Sequence, residues 1–126
     1  MRFASKAIIV NKNQYLLQLR DKKKNIVAPN FWGFFGGKLK KNETPEQCIQ
    51  RELYEELLIN SQIVLKIYEC VNFKKDTYIH FFLMRPKNKI KLENLKEGQS
   101  FGWFSKNKIK KIKTANDVKI FFDYLR

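Results

Sequence analysis

Polar and apolar residues alternate in blocks along the first third of the chain. Residues 7–10 are apolar, residues 11–13 are polar, and residues 15–20 are again mostly apolar. Two such runs around a short turn that contains asparagine predict a β-hairpin. A polar loop over residues 21–30 follows and leads into the aromatic segment 31–37, where glycines permit backbone geometry that side chains would forbid.

A helix with two different faces is predicted to begin near Pro45. Thr44 is a suitable N-cap, proline is favoured in the first helical turn, and Gln47 stands where a capping box requires it. An apolar stripe recurs every four residues along this helix, at Ile49, Leu53 and Leu57. The stripe predicts that the helix packs on a sheet through this face.

The second half of the chain predicts a further hairpin, a short strand and a final helix. Residues 63–73 and 77–84 are rich in β-branched and aromatic side chains on either side of a polar turn. Residues 85–96 are polar and predict a loop, and residues 101–104 predict a short strand. Apolar residues at helical spacing mark the last element: Val118, Phe121, Phe122 and Leu125. This order of elements indicates either an α+β fold or a mixed αβα sandwich.

The length of 126 residues suits one domain with its own core, so we expect a single domain over residues 1–126. Residues 1–6 lead into a strand rather than into an apolar run with a cleavage site. No segment approaches the roughly 18 consecutive apolar residues that span a bilayer. We therefore expect a cytoplasmic protein with no membrane partner.

Three carboxylates crowd one side of the predicted helix. Glu52, Glu55 and Glu56 follow the spacing i, i+3 and i+4, which at about 100° per residue places them on a shared face. Like charges at this spacing repel one another unless a cation lies between them. Carboxylate oxygens suit Mg²⁺ or Mn²⁺, and magnesium usually keeps positions for water and substrate phosphates. The cluster predicts an enzyme of phosphate chemistry; the alternative is a solvated helix face with salt bridges to nearby lysines.

The segment from Gly37 to Ile59 resembles the Nudix box. That box consists of Gly, five residues, Glu, seven residues, and then Arg-Glu-hydrophobic-any-Glu-Glu-any-Gly-hydrophobic. The matching positions of this chain are Gly37, Glu43, Arg51, Glu52, Leu53, Glu55, Glu56 and Ile59. The one departure is Leu58, where the family has a glycine that eases the helix exit, so the exit is expected to continue helically or to end differently. A pattern of this length is far more specific than a lone glycine fingerprint.

The resemblance implies an αβα sandwich with a mixed central sheet, and a hydrolase that cleaves a pyrophosphate bond in a nucleoside diphosphate derivative. It also implies Mg²⁺, or Mn²⁺, as the cofactor. The implied metal ligands are Glu52, Glu55, Glu56 and the carbonyl group of Gly37. Arg51 would pair with Glu43 and brace the loop against the helix. Glu55 would either complete the metal shell or accept a proton from water.

Looser matches outside the box are similar to the MutT type of Nudix protein. Glu97, in the loop before residues 101–104, matches the position of a further metal-binding or catalytic-base carboxylate. Asn116, near the start of the last predicted helix, matches an asparagine that reads a nucleobase edge. The alternative for Glu97 is an ordinary exposed glutamate of a polar loop, and the alternative for Asn116 is helix N-capping.

Further substrate contacts are expected from an arginine, an aromatic residue and the net charge. Arg20, at the end of a predicted strand, is placed to reach substrate phosphates. Phe35 is a candidate for stacking on a nucleobase, although most aromatic residues near it are expected in the core. The formal net charge of +14 favours polyanions, including weak non-specific binding of nucleic acid. A lysine-rich solubilising surface explains this charge as well.

Three functions are compatible with these residues. The leading one is MutT-like hydrolysis of a nucleoside triphosphate to a nucleoside monophosphate and pyrophosphate. Nucleotide sugars are the alternative substrates. The third is a Nudix-fold module that binds a nucleotide or RNA without turnover, against which the intact set Glu52, Glu55 and Glu56 argues. The expected partner is a small-molecule nucleotide, and both a monomer and a homodimer fit the sequence.

Overall fold

The computed structural model describes residues 1–20, 30–95 and 100–125, which form two β-sheets and three α-helices. The strands are β1 (Arg2–Ile8), β2 (Val10–Asn11), β3 (Gln14–Leu19), β4 (Trp32–Gly33), β5 (Gly36–Lys38), β6 (Ser61–Asn72), β7 (Thr77–Pro86) and β8 (Ser100–Ser105). The helices are α1 (Pro45–Leu57), α2 (Lys106–Ile109) and α3 (Asn116–Leu125), and a 3-10 turn covers Leu92–Asn94.

The first sheet has four strands in the order β5–β1–β7–β6. β1 runs parallel to β7, with Ala4 opposite Ile79, and the other two pairings are antiparallel. The second sheet is antiparallel, because β3 pairs in that sense with β2, β4 and β8. The mixed sheet that the sequence predicted is therefore confirmed, and a second sheet stands beside it.

The core lies on both faces of the first sheet. Successive strand residues point to opposite faces, so Phe81 and Phe82 of β7 belong to two different apolar clusters. The cluster around Phe82 contains the predicted apolar stripe of α1, and the cluster around Phe81 contains Val118 and Phe121 of α3. The sheet is thus enclosed by one helix on each face, which confirms the αβα arrangement.

The start of α1 is fixed by local and long-range hydrogen bonds. The amide of Gln47 donates to Thr44 Oγ1 at 3.1 Å, and the amide of Thr44 donates to Gln47 Oε1 at 3.0 Å, which completes the predicted capping box. The buried hydroxyl of Ser5 in β1 donates to the carbonyl group of Pro45 at 2.8 Å. The helix therefore starts at a defined point on the first sheet.

Leu58 ends α1, so the helix does not continue past this residue. This residue adopts the left-handed conformation, with φ of 54° and ψ of 35°, and its amide donates to the carbonyl of Tyr54. A leucine here thus ends the helix in the conformation that glycine adopts most readily. The amide side chain of Asn88 bridges the exit: it donates to the carbonyl of Leu58 at 3.2 Å and accepts from the amide of Asn60 at 2.8 Å.

Three boundaries differ from the sequence predictions. β1 begins at Arg2 rather than at residue 7 because its outer residues pair with β7, a long-range contact without a local signal. The predicted loop over residues 85–96 contains the end of β7 and the 3-10 turn. The four-residue helix α2 was not predicted, since one turn is too short to show a periodic pattern. Within the described residues, every helix lacks the length or the apolar character that a bilayer span requires.

Candidate active site

The two glycines of β5 bring the backbone close to β1 on one side and to α1 on the other. Gly36 has φ of +147°, and a Cβ atom there would overlap the backbone carbonyl of Ser5. At Gly37 a Cβ atom would overlap the carboxylate of Glu52 instead. Glycine at position 36 allows β1 to pack closely against β5. Glycine at position 37 leaves room for the Glu52 carboxylate beside the backbone of β5.

Arg51 connects the loop after β5 to α1. Its Nε donates to Glu43 Oε2 at 2.6 Å, and its Nη2 donates to Glu43 Oε1 at 3.0 Å and to the carbonyl of Lys38 at 3.1 Å. The bidentate pair holds the pKa of Glu43 at about 2, well below its ordinary value. The same hydrogen bonds raise the pKa of Arg51 above its already high range. The brace that the Nudix resemblance implied is therefore present.

Arg51 also lies between two of the three predicted metal-binding carboxylates. Its Nη1 donates to Glu52 Oε1 at 3.1 Å and to Glu55 Oε1 at 3.1 Å. The three carboxylates differ in exposure: the side chain of Glu55 is 48% exposed, that of Glu52 is 16% exposed, and Glu56 is 4% exposed. The counter-charge that this spacing requires is thus supplied in part by the chain's own guanidinium.

The donors fit a hard divalent cation by their chemistry. Glu52, Glu55, Glu56 and the carbonyl of Gly37 offer only oxygen atoms, which Mg²⁺ and Mn²⁺ prefer, and the carboxylate of Glu52 already lies against Gly37. Among the described residues, no three acidic, histidine or cysteine side chains converge at metal-binding distance. The reason is visible in the geometry, because Glu52 and Glu55 are turned toward Arg51.

Cys48 of α1 lies beside Gly37 of β5. Its buried thiol donates to the carbonyl of Gly37 at 3.4 Å, and burial raises the pKa of the thiol to about 11. Cys48 and Cys70 are both free cysteines. The thiol of Cys48 therefore serves as a neutral donor to the loop.

A cavity of about 380 Å³ opens between the first sheet and the start of α3. Gly36, Gly37, Ile79 and Ala115 contribute to its walls. Six basic residues of the described part of the chain line it: Arg2, Lys6, Arg20, Lys38, Lys75 and Lys119. Its volume falls in the range typical of small-molecule sites. Gly37 lines this cavity and also touches Glu52, so the basic cavity adjoins the acidic helix.

Among the residues that the structure describes, Asp117 is the acidic residue that lines this cavity. Asp117 Oδ2 accepts the amide of Phe34 at 3.1 Å and lies 3.8 Å from Lys6 Nζ. The two side chains of this ion pair are 7% and 14% exposed. The sequence analysis missed both residues. Lys6 and Asp117 are separated by most of the chain, and only the topology brings β1 and α3 together.

The structure brings some of the predicted substrate contacts together and separates others. Arg20 and Asn116 both line the cavity, and Asn116 is the first residue of α3. Phe35 does not line it: this residue is 1% exposed and packs in the core against α1. We therefore correct Phe35 to a packing residue, because its side chain is buried in the cluster that contains the apolar stripe of α1, whereas Phe31 lines the cavity. Glu97 lies outside the described residues.

Comparison with known families decides the assignment. The family model described as NUDIX domain matches residues 1–125. The chain belongs to the Nudix family. A similar protein is the 8-oxo-dGTP diphosphatase of Buchnera aphidicola subsp. Schizaphis graminum, which is 34% identical over 98 residues, covering 76% of this chain and 71% of that protein. These matches support a MutT-like Nudix pyrophosphohydrolase.

Solved Nudix structures share the fold. The MutT protein from Methanosarcina mazei Go1 has a TM-score of 0.78 and 19% identity, covering 98% of this chain and 91% of that one. An ADP-ribose pyrophosphatase from Streptococcus suis 89-1591 has a TM-score of 0.65 and 17% identity, covering 82% of this chain and 73% of that one. At these identities the likeness concerns the Nudix fold alone.

Proposed function

We propose that this Nudix protein hydrolyses a nucleoside triphosphate to a nucleoside monophosphate and pyrophosphate with the help of a divalent cation. The observation that carries the proposal is the position of Gly37, which lines the basic cavity and touches the carboxylate of Glu52. A nucleoside held in the cavity would extend its phosphates across β5 toward the acidic edge of α1. Base recognition and phosphate chemistry would then occur on two sides of one short strand.

The residues proposed to hold Mg²⁺ or Mn²⁺ are Glu52, Glu55, Glu56 and Gly37 through its carbonyl. A bound divalent cation supplies charge neutralisation for phosphate oxygens and lowers the pKa of water. The carbonyl of Gly37 accepts from the Cys48 thiol, which limits its freedom to rotate. Glu56 is the most buried of the three carboxylates, so its position is the most firmly set by packing.

Arg51 is proposed to act by positioning rather than by contact with substrate. Its hydrogen bonds to Glu43 and Lys38 hold the loop after β5 against α1. Its Nη1 donates to both Glu52 and Glu55, so one guanidinium nitrogen bridges the two carboxylates and fixes their relative positions. The proton acceptor for water is proposed to be Glu55, which is half exposed, or Glu97.

The cavity is proposed to bind the nucleoside and the first phosphates. Arg20 at the end of β3 and the other basic lining residues attract an anionic ligand, and a charged cleft raises its local concentration. Asn116 offers both a donor and an acceptor at the start of α3. The same positive field supports weak binding of nucleic acid, which would weaken steeply with added salt.

The relatives indicate which substrates to compare first. The similar Buchnera protein is an 8-oxo-dGTP diphosphatase, so oxidised guanine triphosphates are the leading candidates for this chain. The fold is also shared with an ADP-ribose pyrophosphatase, which keeps nucleotide sugars as the second candidate. A module that only binds nucleotides or RNA is the third, disfavoured by the retained carboxylates.

The test is product analysis with a panel of canonical and oxidised nucleoside triphosphates, nucleotide sugars and dinucleotides, each with Mg²⁺, Mn²⁺ or a chelator. The proposal expects pyrophosphate and a nucleoside monophosphate, formed only with the cation. Sugar phosphate as the product would show that nucleotide sugars, the second candidate, are the substrates. Salt-sensitive RNA binding with no turnover on any substrate would favour the binding module.

A further inference from the structure

Lys40, in the loop after β5, directs a positive charge at the acidic edge of α1. Its Nζ lies 3.9 Å from Glu55 Oε1, and the side chains of Lys40 and Glu55 are 66% and 48% exposed. Exposed ion pairs of this kind contribute little to stability. Glu55 already accepts hydrogen bonds from Arg51 Nη1. The neutralisation of Glu55 therefore does not require Lys40, and the position of this lysine needs another explanation.

The backbone at Lys40 is fixed although its side chain is exposed. The amide of Lys40 donates to Glu43 Oε1 at 2.9 Å, and the amide of Glu43 donates to the carbonyl of Lys40 at 3.0 Å. Asn42 lies within this turn at a positive φ of 64°. Because Arg51 holds the same Glu43 carboxylate, the turn is tied to α1. Lys40 thus presents a long ammonium side chain from an anchored position beside the carboxylates.

Lys38 and Lys40 mark a path from the basic cavity to the acidic edge. Lys38 lines the cavity, whereas Lys40 lies beside Glu55. The amide of Leu39, between them, donates to the carbonyl of Phe3 and so continues the extended pairing with β1. An extended backbone spans about 7 Å over two residues, which is comparable to the distance between the first and last phosphorus atoms of a triphosphate. A triphosphate that begins beside Lys38 therefore ends near Lys40.

We propose that Lys40 binds the terminal phosphate of a nucleoside triphosphate. The ammonium group of lysine has three donors and acts as a point charge toward phosphate. A terminal phosphate carries more negative charge than the phosphates before it, whereas a nucleotide sugar carries its sugar at that end. Lys40 is thereby a specificity-determining residue that favours triphosphates over nucleotide sugars. This inference rests on the proposed function, which directs the phosphates from the cavity toward α1.

The test compares Lys40→Met and Lys40→Arg in the binding of inorganic pyrophosphate and of GMP, measured by calorimetry with Mg²⁺. Lys40→Met should weaken pyrophosphate binding about tenfold, the loss expected for one charge-assisted hydrogen bond. It should leave the binding of GMP unchanged, because GMP has no terminal phosphate to reach Lys40. Lys40→Arg keeps the charge, so its affinity for pyrophosphate should stay within about threefold of that of the wild type.

Steady-state kinetics provide a second readout. In Lys40→Met the KM for a nucleoside triphosphate should rise about tenfold while kcat stays close to the wild-type value, because the contact serves binding rather than the reacting atoms. Lys41→Met is the matched control, since Lys41 is the next residue and is also exposed. This control variant should keep the wild-type affinity for pyrophosphate and the wild-type KM.

A titration with Mn²⁺ alone, followed by electron paramagnetic resonance, separates a phosphate contact from an effect on the cation. Lys40→Met removes a positive charge near Glu55, so it should bind Mn²⁺ at least as tightly as the wild type. A parallel loss of affinity for Mn²⁺ and for pyrophosphate would contradict the proposal, because the cation would then account for the weaker binding of pyrophosphate.

The outcomes separate this inference from the proposed function. Unchanged pyrophosphate binding in Lys40→Met, or an equal loss in Lys41→Met, would overturn the role of Lys40. Release of pyrophosphate from triphosphates by the wild-type protein would in that case leave the hydrolase intact. Pyrophosphate binding that depends on Lys40, without turnover of any triphosphate, would support the role of Lys40 and contradict the hydrolase.

Discussion

The acidic helix edge and the basic cavity meet at Gly37 but are built in opposite ways. The acidic edge gathers Glu52, Glu55 and Glu56 from one short stretch of α1, and the preceding residue, Arg51, pairs with Glu52 and Glu55. The cavity gathers Lys6 and Asp117 from distant parts of the chain, and its rim draws on β1, β5, β7 and α3. Residue spacing along one helix determines which carboxylates are grouped, whereas tertiary packing determines which residues line the adjoining cavity.

Because of this difference, the two halves of the site, the acidic edge of α1 and the basic cavity, can change independently. Spacing within one helix fixes the acidic set regardless of the substrate. The cavity depends on which residues the topology places opposite one another, so a single substitution at β1 or α3 can alter selectivity without touching the carboxylates. Substitutions that break one half alone, or that weaken the strand joining them, test this independence.

The largest effect on turnover is expected from removing a carboxylate from the acidic edge of α1. Glu56→Gln keeps the size of a buried side chain but removes its charge, so cation-dependent turnover should fall by about 10³-fold. The free energy of unfolding should change little, as measured by urea denaturation. Glu46→Gln is the matched control, since Glu46 lies exposed in the first turn of the same helix, and its turnover should stay near that of the wild type. Persistent turnover in Glu56→Gln would contradict the assignment of the metal helix.

The next effect separates the two glycines of the joining strand. Gly36→Ala places a Cβ atom against the Ser5 backbone at a positive φ, so the free energy of unfolding should drop by about 3 kcal/mol. Gly37→Ala meets only the movable end of Glu52, so the fold should survive while turnover falls by about 10²-fold through misplacement of that carboxylate. Thermal denaturation and a pyrophosphate-release assay on both variants check this. Equal loss of stability at both positions would remove the functional role of Gly37.

A smaller effect is expected at the helix exit. Leu58→Gly relieves a left-handed conformation that costs a residue with a Cβ atom about 1 kcal/mol, so the free energy of unfolding should rise by roughly that amount. Asn88→Ala should lower it by about 1 kcal/mol, because two backbone groups at the exit lose their partner. Urea denaturation of both variants tests this, and turnover should be unchanged. A destabilised Leu58→Gly would show that the leucine side chain contributes more by packing than its conformation costs.

A further effect is a dependence of stability on pH from the Arg51 brace. Because the pKa of Glu43 is about 2 in the folded protein and 4.5 ordinarily, its pairing stabilises the fold above pH 4.5. This contribution disappears as the pH falls from 4.5 toward 2. Glu43→Gln should therefore lose less stability than the wild type over that window, as measured by urea denaturation at pH 6, 4.5 and 3. Parallel curves for the two proteins would contradict a tight folded-state pair.

The sequence predicted the features that depend on neighbouring residues. The capping box at Thr44 and Gln47 is confirmed, because its hydrogen bonds link residues three apart. The apolar stripe of α1 is confirmed for the same reason. The mixed sheet between two helices, which the Nudix resemblance implied, is confirmed as well. The placement of catalytic and metal-binding roles on Arg51, Glu55 and their neighbours stays a prediction.

The sequence could not predict what depends on distant pairing. Nothing near Lys6 marks it as a cavity residue, since its partner Asp117 is defined by the parallel pairing of β1 with β7 and by the docking of α3. The prediction for Phe35 was wrong for a related reason: the burial of this residue depends on how the segment between β4 and β5 packs against α1, which is a long-range contact. Its neighbour Phe34 is equally buried, on the opposite side of the core.

The edge strands of the first sheet, β5 and β6, affect how readily copies of this protein associate at high concentration. β5 offers only three residues to a strand from another molecule. β6 is long, but its ladder with β7 is irregular between Ile63 and Leu65 and again between Lys66 and Tyr68. Bulges and edge lysines interrupt the regular backbone that intermolecular strand addition requires. The same irregular edge that shapes the sheet thus works against fibril growth.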